Sequence, residues 1–237
     1  KSDIQNRQNF TPDDFNKVQM DTYLRQISNI VYPNTSDNYQ DYTGDEGFRN
    51  NFTYSNGKFK YKKSCLDTVG EFLDISKIKD YSSKIYEIIN IIDNSDGIVF
   101  IYSNYINSGV IPLCLALEQH GYSNMNGKKY LECSQDNPMS YEGIRKSEYG
   151  ETQFHQGKYA LLSVSDMIEN STEDILKIAN YITSDVANDE DNKNGKNLKI
   201  IIGTTVASEG LDFKCIRSIH IMEPWLNLNK LEQVIGR

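Results

Sequence analysis

Three stretches of this 237-residue chain place unusual polarity directly after an apolar run, where small hydroxyls could hold phosphate groups. Ser103 and Asn104 follow the apolar run GIVFIY. Thr204 and Thr205, then VASEGLDF, follow LKIIIG. Glu223, Pro224 and Trp225 follow IRSIHIM. A small hydroxyl at a strand tip donates to a phosphate oxygen without blocking approach, a glycine lets backbone come close, and an aspartate two residues on can accept from a ribose hydroxyl. Thr204, Gly210 and Asp212 fit those roles, although an ordinary turn capping a strand would use the same residue types. Near the end of the chain Gln233 and Arg237 stand four apart, so a helix projects both from one face. An amide beside a planar, fork-shaped cation could grip a terminal phosphate. A solvated surface pair is the alternative.

The intervening elements must place these residues together. Tyr81, Ile85, Ile88, Ile89 and Ile92 recur at helical spacing and predict a helix ending near Asn94. GIVFIY is the continuous apolar, β-branched run required of a parallel strand buried on both faces. Ile106, Val110, Leu113, Cys114 and Leu117 give a second helix that stops at His120-Gly121, with Pro112 near its first turn. YALLSV (159–164) predicts a strand. Ile175, Ile178, Ala179, Ile182 and Val186 predict a helix capped by Ser171 or Thr172. LKIIIG and IRSIHIM are two further strands. A closing helix has Asn229 and Glu232 as a capping box and Leu231, Val234 and Ile235 as its buried face. Alternating strands and helices define an α/β class: a parallel sheet with helices on both faces, whose ligands sit beyond the carboxyl ends of the strands. Residues 1 to about 70 are polar, with one apolar patch, LRQISNIVYP, and read as a connection or accessory layer. Tyr122–Lys158 reads as a surface insertion and VANDEDNKNGKN as a solvated loop.

Composition narrows the function classes. No apolar run approaches the roughly 20 residues that cross a bilayer, so no membrane partner is expected. The opening KSDIQ has no features of a targeting leader and reads as the interior of a longer polypeptide. Cys65, Cys114, Cys133 and Cys215 are widely separated and lack short Cys/His spacing, so isolated thiols are expected and no metal site. The Asn34, Asn51 and Asn170 sequons read as unmodified. With 33 acidic against 25 basic side chains, net −8, the chain is no simple basic wrapper of nucleic acid, although a local track within a cleft stays possible.

In their order, IVFIYS before a helix, TTVASEGLDF after a strand and QVIGR on the last helix resemble motifs IV, V and VI of superfamily 2 helicases. The wider text, including LRQISNIVYP, GDEGF and IIGTTVASEGLDFKCIRSIHIMEPWLNLNKLEQVIGR, resembles the C-terminal helicase region of transcription ATPases from large DNA viruses. That group includes the poxvirus early transcription factor small subunit, nucleoside triphosphatase I, and giant-virus and asfarvirus relatives. The resemblance covers 24–48 loosely and 81–237 well, outside the insertion at about 122–157 and the loop near 190.

The resemblance implies a RecA-like second helicase lobe over 81–237, truncated within motif VI, preceded by a linker or accessory region over 1–80. It implies that Ser103, Thr204 and Thr205 touch the nucleic-acid backbone. Gly210, Asp212 and Gly236 would then lie at the nucleotide edge, and Gln233 and Arg237 would face the ATP phosphates, with Arg237 as an arginine finger. The second arginine of QxxGRxxR, a GxxxxGK[ST] loop and a DExx box following an apolar strand run are absent from these 237 residues. ATP and Mg2+ would therefore be bound mainly by an N-terminal RecA-like lobe of the same protein, and this piece alone would be inactive. The implied whole is an ATP-dependent helicase or translocase on DNA or RNA in viral transcription. Its partners would include a viral RNA polymerase or transcription factor subunit, and its place would be intracellular, in the virion or host cytoplasm. The alternatives are a catalytically silent helicase-like scaffold for polymerase or promoter DNA and, more remotely, an unrelated doubly wound nucleotide-binding domain.

Overall fold

A computed structural model describes residues 12–132, 137–150, 153–163, 171–186, 190–204 and 213–223, with Glu232 and Ile235 beyond them. Among the described residues the helices are α1 (Pro12–Asn29), α2 (Gly44–Asn51), α3 (Lys63–Thr68), α4 (Ser83–Asp93), α5 (Ile111–Gln119) and α6 (Thr172–Asn180). A hairpin, β1 (Phe52–Ser55) and β2 (Lys58–Tyr61), is separate from a five-stranded sheet. The sheet comprises β3 (Ile98–Tyr102), β4 (Ser123–Asn124), β5 (Lys158–Leu162), β6 (Ile200–Gly203) and β7 (Ile216–Ile221). Its order is β4-β5-β6-β3-β7 and every pairing is parallel. None of the described helices is long and apolar enough to cross a membrane.

Alternation along each strand divides the core. Val99, Ile101, Tyr159, Leu161, Ile200 and Ile202 pack with α4 and α5. Ile98, Phe100, Tyr102, Ala160, Leu162 and Ile201 pack with Ile175, Ile178, Ala179 and Ile182 on the other face. Each fully buried Val, Leu, Ile or Phe among them contributes roughly 1.5–3 kcal/mol over an exposed one. This is the α/β sheet with helices on both faces that the strand and helix pattern predicts. The helix starts are locally encoded: Ser82 accepts the Ile85 N–H, and Ser171 and Asp174 close a capping box. Pro112 sits in the first turn of α5, where its missing N–H is not needed.

The structure departs from the sequence reading in the polar regions. The segment before α4 contributes Tyr32, Phe48, Phe52, Phe59, Tyr61 and Phe72 to the same core as α4 and α5. These rings stack and meet edge to face, with Phe48 and Phe52 centroids 4.9 Å apart and Phe72 between Tyr32, Tyr61 and Tyr81. Aromatics spread over short elements show no period, so the polar average of the segment conceals a core. Likewise, Tyr122–Lys158 is more than a surface insertion. It supplies edge strand β4 and buries Tyr122, Tyr130, Leu131 and Met139. Its anchor is the buried Glu118 of α5, whose carboxylate accepts the Tyr130 and Leu131 N–H groups (3.0 and 2.6 Å) and the Tyr159 hydroxyl (2.7 Å). In the expected solvated loop, Asn192 is buried and its Oδ1 accepts the N–H groups of Asn197 and Leu198, both at 2.8 Å. Asn51, within a sequon, is also buried, and its amide donates to Pro33 and Gly47 carbonyls.

Candidate nucleic-acid interface at the strand tips

Register places three hydroxyl residues in one row. Gly203 of β6 pairs with Tyr102 of β3 and with Leu162 of β5, so the residues that follow, Thr204, Ser103 and Ser163, lie side by side at the carboxyl end of the sheet. Two bonds continue the ladder across them: Ser103 N–H to the Gly203 carbonyl (3.1 Å) and Thr204 N–H to the Leu162 carbonyl (3.2 Å). Ser163 was not among the residues the sequence singled out, although it ends YALLSV just as Ser103 ends IVFIYS. It is buried and its hydroxyl makes no hydrogen bond among the described residues.

Glu223 closes the row from β7. It is fully buried, and its Oε1 accepts the Ser103 hydroxyl at 2.6 Å, the Asn104 N–H at 2.8 Å and the Tyr105 N–H at 3.3 Å. Burial pushes its carboxyl above the usual range, and those three donors work in the opposite direction by favouring the anion. The Ser103 hydroxyl is thus engaged with Glu223, whereas Thr204 is largely buried with its backbone alone in the ladder. Beneath Glu223, Lys84 of α4 donates to the Met222 carbonyl (2.6 Å), Ser28 Oγ (2.9 Å) and Asn29 Oδ1 (3.0 Å). Desolvation lowers the Lys84 ammonium and attraction to Glu223 raises it. An acidic residue directly after an apolar strand was the visible signal for Glu223, but nothing local names its partners.

The remaining expected site residues, Thr205, Gly210, Asp212, Gln233, Gly236 and Arg237, lie outside the described residues, as does Asn229 of the expected capping box. Of the closing helix, Glu232 and Ile235 are described and helical. Ile235 is 55% exposed, where the sequence pattern places it on a buried face; the pattern reports helical spacing but not whether a surface covers it. Among the described residues no group of three His, Cys, Asp or Glu is placed to hold a metal ion. All three hydroxyl residues of the row are buried and the Ser103 hydroxyl is engaged with Glu223, so the structure brings these tips together at one edge without exposing their hydroxyls.

A family model described as the helicase conserved C-terminal domain matches residues 83–237, from the first residue of α4 onward. The chain belongs to this helicase family. Its sheet is therefore the RecA-like second lobe of a helicase, and the row of tips is that lobe's carboxyl edge. The chain is 29% identical over 219 residues to a protein named "Putative ATP-dependent RNA helicase R563" of Acanthamoeba polyphaga mimivirus, covering 90% of this chain and 28% of that protein. It is 28% identical to nucleoside triphosphatase I of Heliothis armigera entomopoxvirus, over 84% of this chain and 24% of that protein. It is also 28% identical to the termination factor NPH-I homolog of an African swine fever virus isolate, over 66% of this chain and 22% of that one. The chain thus spans about a quarter of the length of these viral relatives. No solved structure matches it significantly.

Proposed function

We propose that this lobe is the C-terminal motor half of an ATP-dependent nucleic-acid helicase or translocase serving viral transcription. The observation that carries the reading is the in-register row Ser163, Thr204 and Ser103 at the carboxyl edge of a sheet belonging to the helicase family. In this reading the tips bearing Ser103, Thr204 and Thr205 follow the backbone of DNA or RNA. Gly210, Asp212 and Gly236 border the nucleotide, while Gln233 and Arg237 reach the ATP phosphates. An upstream RecA-like lobe supplies the phosphate cradle and the Mg2+ ligands, so this lobe alone does not hydrolyse ATP. Closure of two lobes on ATP and reopening after hydrolysis would alternate their grips on the backbone. A polymerase or transcription-factor partner, in the virion or the host cytoplasm, is part of the same proposal.

Arg237→Ala in the full-length protein is the test. A finger acts on charge that develops in the transition state, so nucleotide affinity should survive while single-turnover hydrolysis falls by ~10³ to 10⁵. Hydrolysis within tenfold of wild type would make Arg237 a surface residue and withdraw the finger reading of this helix, Gln233 included, whereas a wild-type protein with no ATP turnover would favour the silent scaffold.

A further inference from the structure

We propose that Glu223 is a positioning residue that fixes the turn after β3 and fastens it to helix α1 through Asn29 and Lys84, so that a displacement of α1 reaches the nucleic-acid-facing tips. The inference rests on the functional reading above and adds to it a route by which the upstream chain controls the grip.

Three consecutive residues converge on one Glu223 oxygen: the Ser103 hydroxyl and the N–H groups of Asn104 and Tyr105. A fully buried carboxylate is costly, and it is tolerated only where fixed donors compensate it. Here those donors belong to the turn itself, so turn and carboxylate hold each other in one shape. The other oxygen, Oε2, has no completed hydrogen bond, and neither does the buried Asn29 Nδ2 facing it at the end of α1. The remaining face of the Asn29 amide accepts from Lys84, whose ammonium also holds the Met222 carbonyl, one residue before Glu223. The charges on either side set the amide orientation, with NH2 toward the carboxylate and oxygen toward the ammonium. A small shift of α1 would complete an Asn29–Glu223 hydrogen bond that the structure leaves open. The same turn is tied to the upstream segment further on. The Ser108 hydroxyl donates to Gln26 of α1 at 2.9 Å, the Asn107 amide to Asp45 of α2 at 2.6 Å, and the Tyr32 hydroxyl to the Asn107 carbonyl at 2.6 Å. All of these partners precede residue 83, where the family match begins. The helicase lobe's turn is therefore clamped by chain from outside the matched domain.

The test uses the full-length protein with Glu223→Ala, Glu223→Gln, Glu223→Asp and Lys84→Met. One readout is amide exchange at Asn104 and Tyr105; the other is the concentration of single-stranded oligonucleotide giving half-maximal stimulation of ATP hydrolysis, with kcat at saturation. Glu223→Ala should speed exchange at both amides at least tenfold and raise the half-maximal concentration at least fivefold, with kcat falling by a smaller factor. Glu223→Gln, which keeps an acceptor oxygen in place, should restore both to within about threefold. Glu223→Asp, which keeps the charge but withdraws the oxygen, should behave like alanine and serves if alanine does not fold. Lys84→Met should leave the two amides protected and raise the half-maximal concentration about threefold. Unchanged exchange in the alanine and aspartate variants, or glutamine as damaging as alanine, overturns the positioning role. An unchanged half-maximal concentration in Lys84→Met overturns the connection to α1. If no oligonucleotide stimulates the wild-type protein, the functional reading fails, and the exchange data still decide whether Glu223 holds the turn.

Discussion

Gly109→Ala tests the packing of the strand-tip turn most directly. Gly109 lies in the π-helical turn Ile106–Val110 that leads into α5. A Cβ built there would stand 2.0 Å from Ser103 Oγ and 3.0 Å from Ser103 Cβ. An ordinary contact needs well over 3 Å, so either the helix entrance retreats or the Ser103 side chain turns away from Glu223. Turning away gives up a 2.6 Å hydrogen bond to a buried carboxylate, a loss of about 1.5–3 kcal/mol. Retreating strains the buried helix entrance by about 1–3 kcal/mol. The better helical propensity of alanine returns at most ~1 kcal/mol. The expected net loss is about 1–2 kcal/mol. With a urea slope of about 1–3 kcal/mol/M, the midpoint should fall by roughly 0.5–1 M, followed by circular dichroism. In a Ser103→Ala background the oxygen is gone and only the 3.0 Å Cβ contact remains, so adding Gly109→Ala should cost under ~1 kcal/mol. Equal costs in the two backgrounds, or a single variant within 0.5 kcal/mol (roughly experimental error) of wild type, would refute the placement of this turn.

Phe72→Ala should remove about 3–5 kcal/mol and leave one cooperative unfolding transition, because Phe72 is fully buried among rings continuous with the sheet core; two separate transitions would show that residues before α4 form their own unit. Lys199 is buried, its ammonium donates to the Ser95 carbonyl, and desolvation lowers it from 10.5 to about 8. Between those values the unfolded chain binds more protons than the folded one, so stability should rise as pH climbs from 8 to 10.5, and Lys199→Met should lack that rise. The difference has a ceiling of about 3 kcal/mol, and screening by solvent brings it to roughly 1–2 kcal/mol; parallel stability profiles in the two proteins would refute it. Thr204→Val should weaken oligonucleotide binding by the worth of one neutral hydrogen bond, ~0.5–1.5 kcal/mol, or roughly two- to tenfold. Equal affinity across a salt series would leave Thr204 a turn residue.

What was legible in the sequence was whatever is encoded within one element. Ile85, Ile88, Ile89 and Ile92 announce α4 because helical spacing puts them on one face, and all four are buried against the sheet. IVFIY announces a doubly covered strand because every position is apolar, and all five are buried. Ser103 and Thr204 were recognisable because hydroxyls that follow such runs must sit at strand tips. The order of the sheet, the pairing of β4 with β5, and the aromatic cluster around Phe72 depend on partners far away in the chain. No local period records them. Ser163 needed only the rule already applied to its neighbours, but its alignment with Thr204 and Ser103 appears once β5, β6 and β3 are in register. Glu223 marks the limit of local reading. Its position after IRSIHIM is visible in the sequence, yet its environment is made by Ser103, Asn104, Tyr105, Asn29 and Lys84, from three other elements. The sequence by itself determined the main strands and helices after residue 80 and the helicase family; the tertiary structure alone decided that the buried Glu223 carboxylate holds the turn after β3 and that Lys84 ties the residue before it to α1, because desolvation and hydrogen bonding act between groups that only folding brings together.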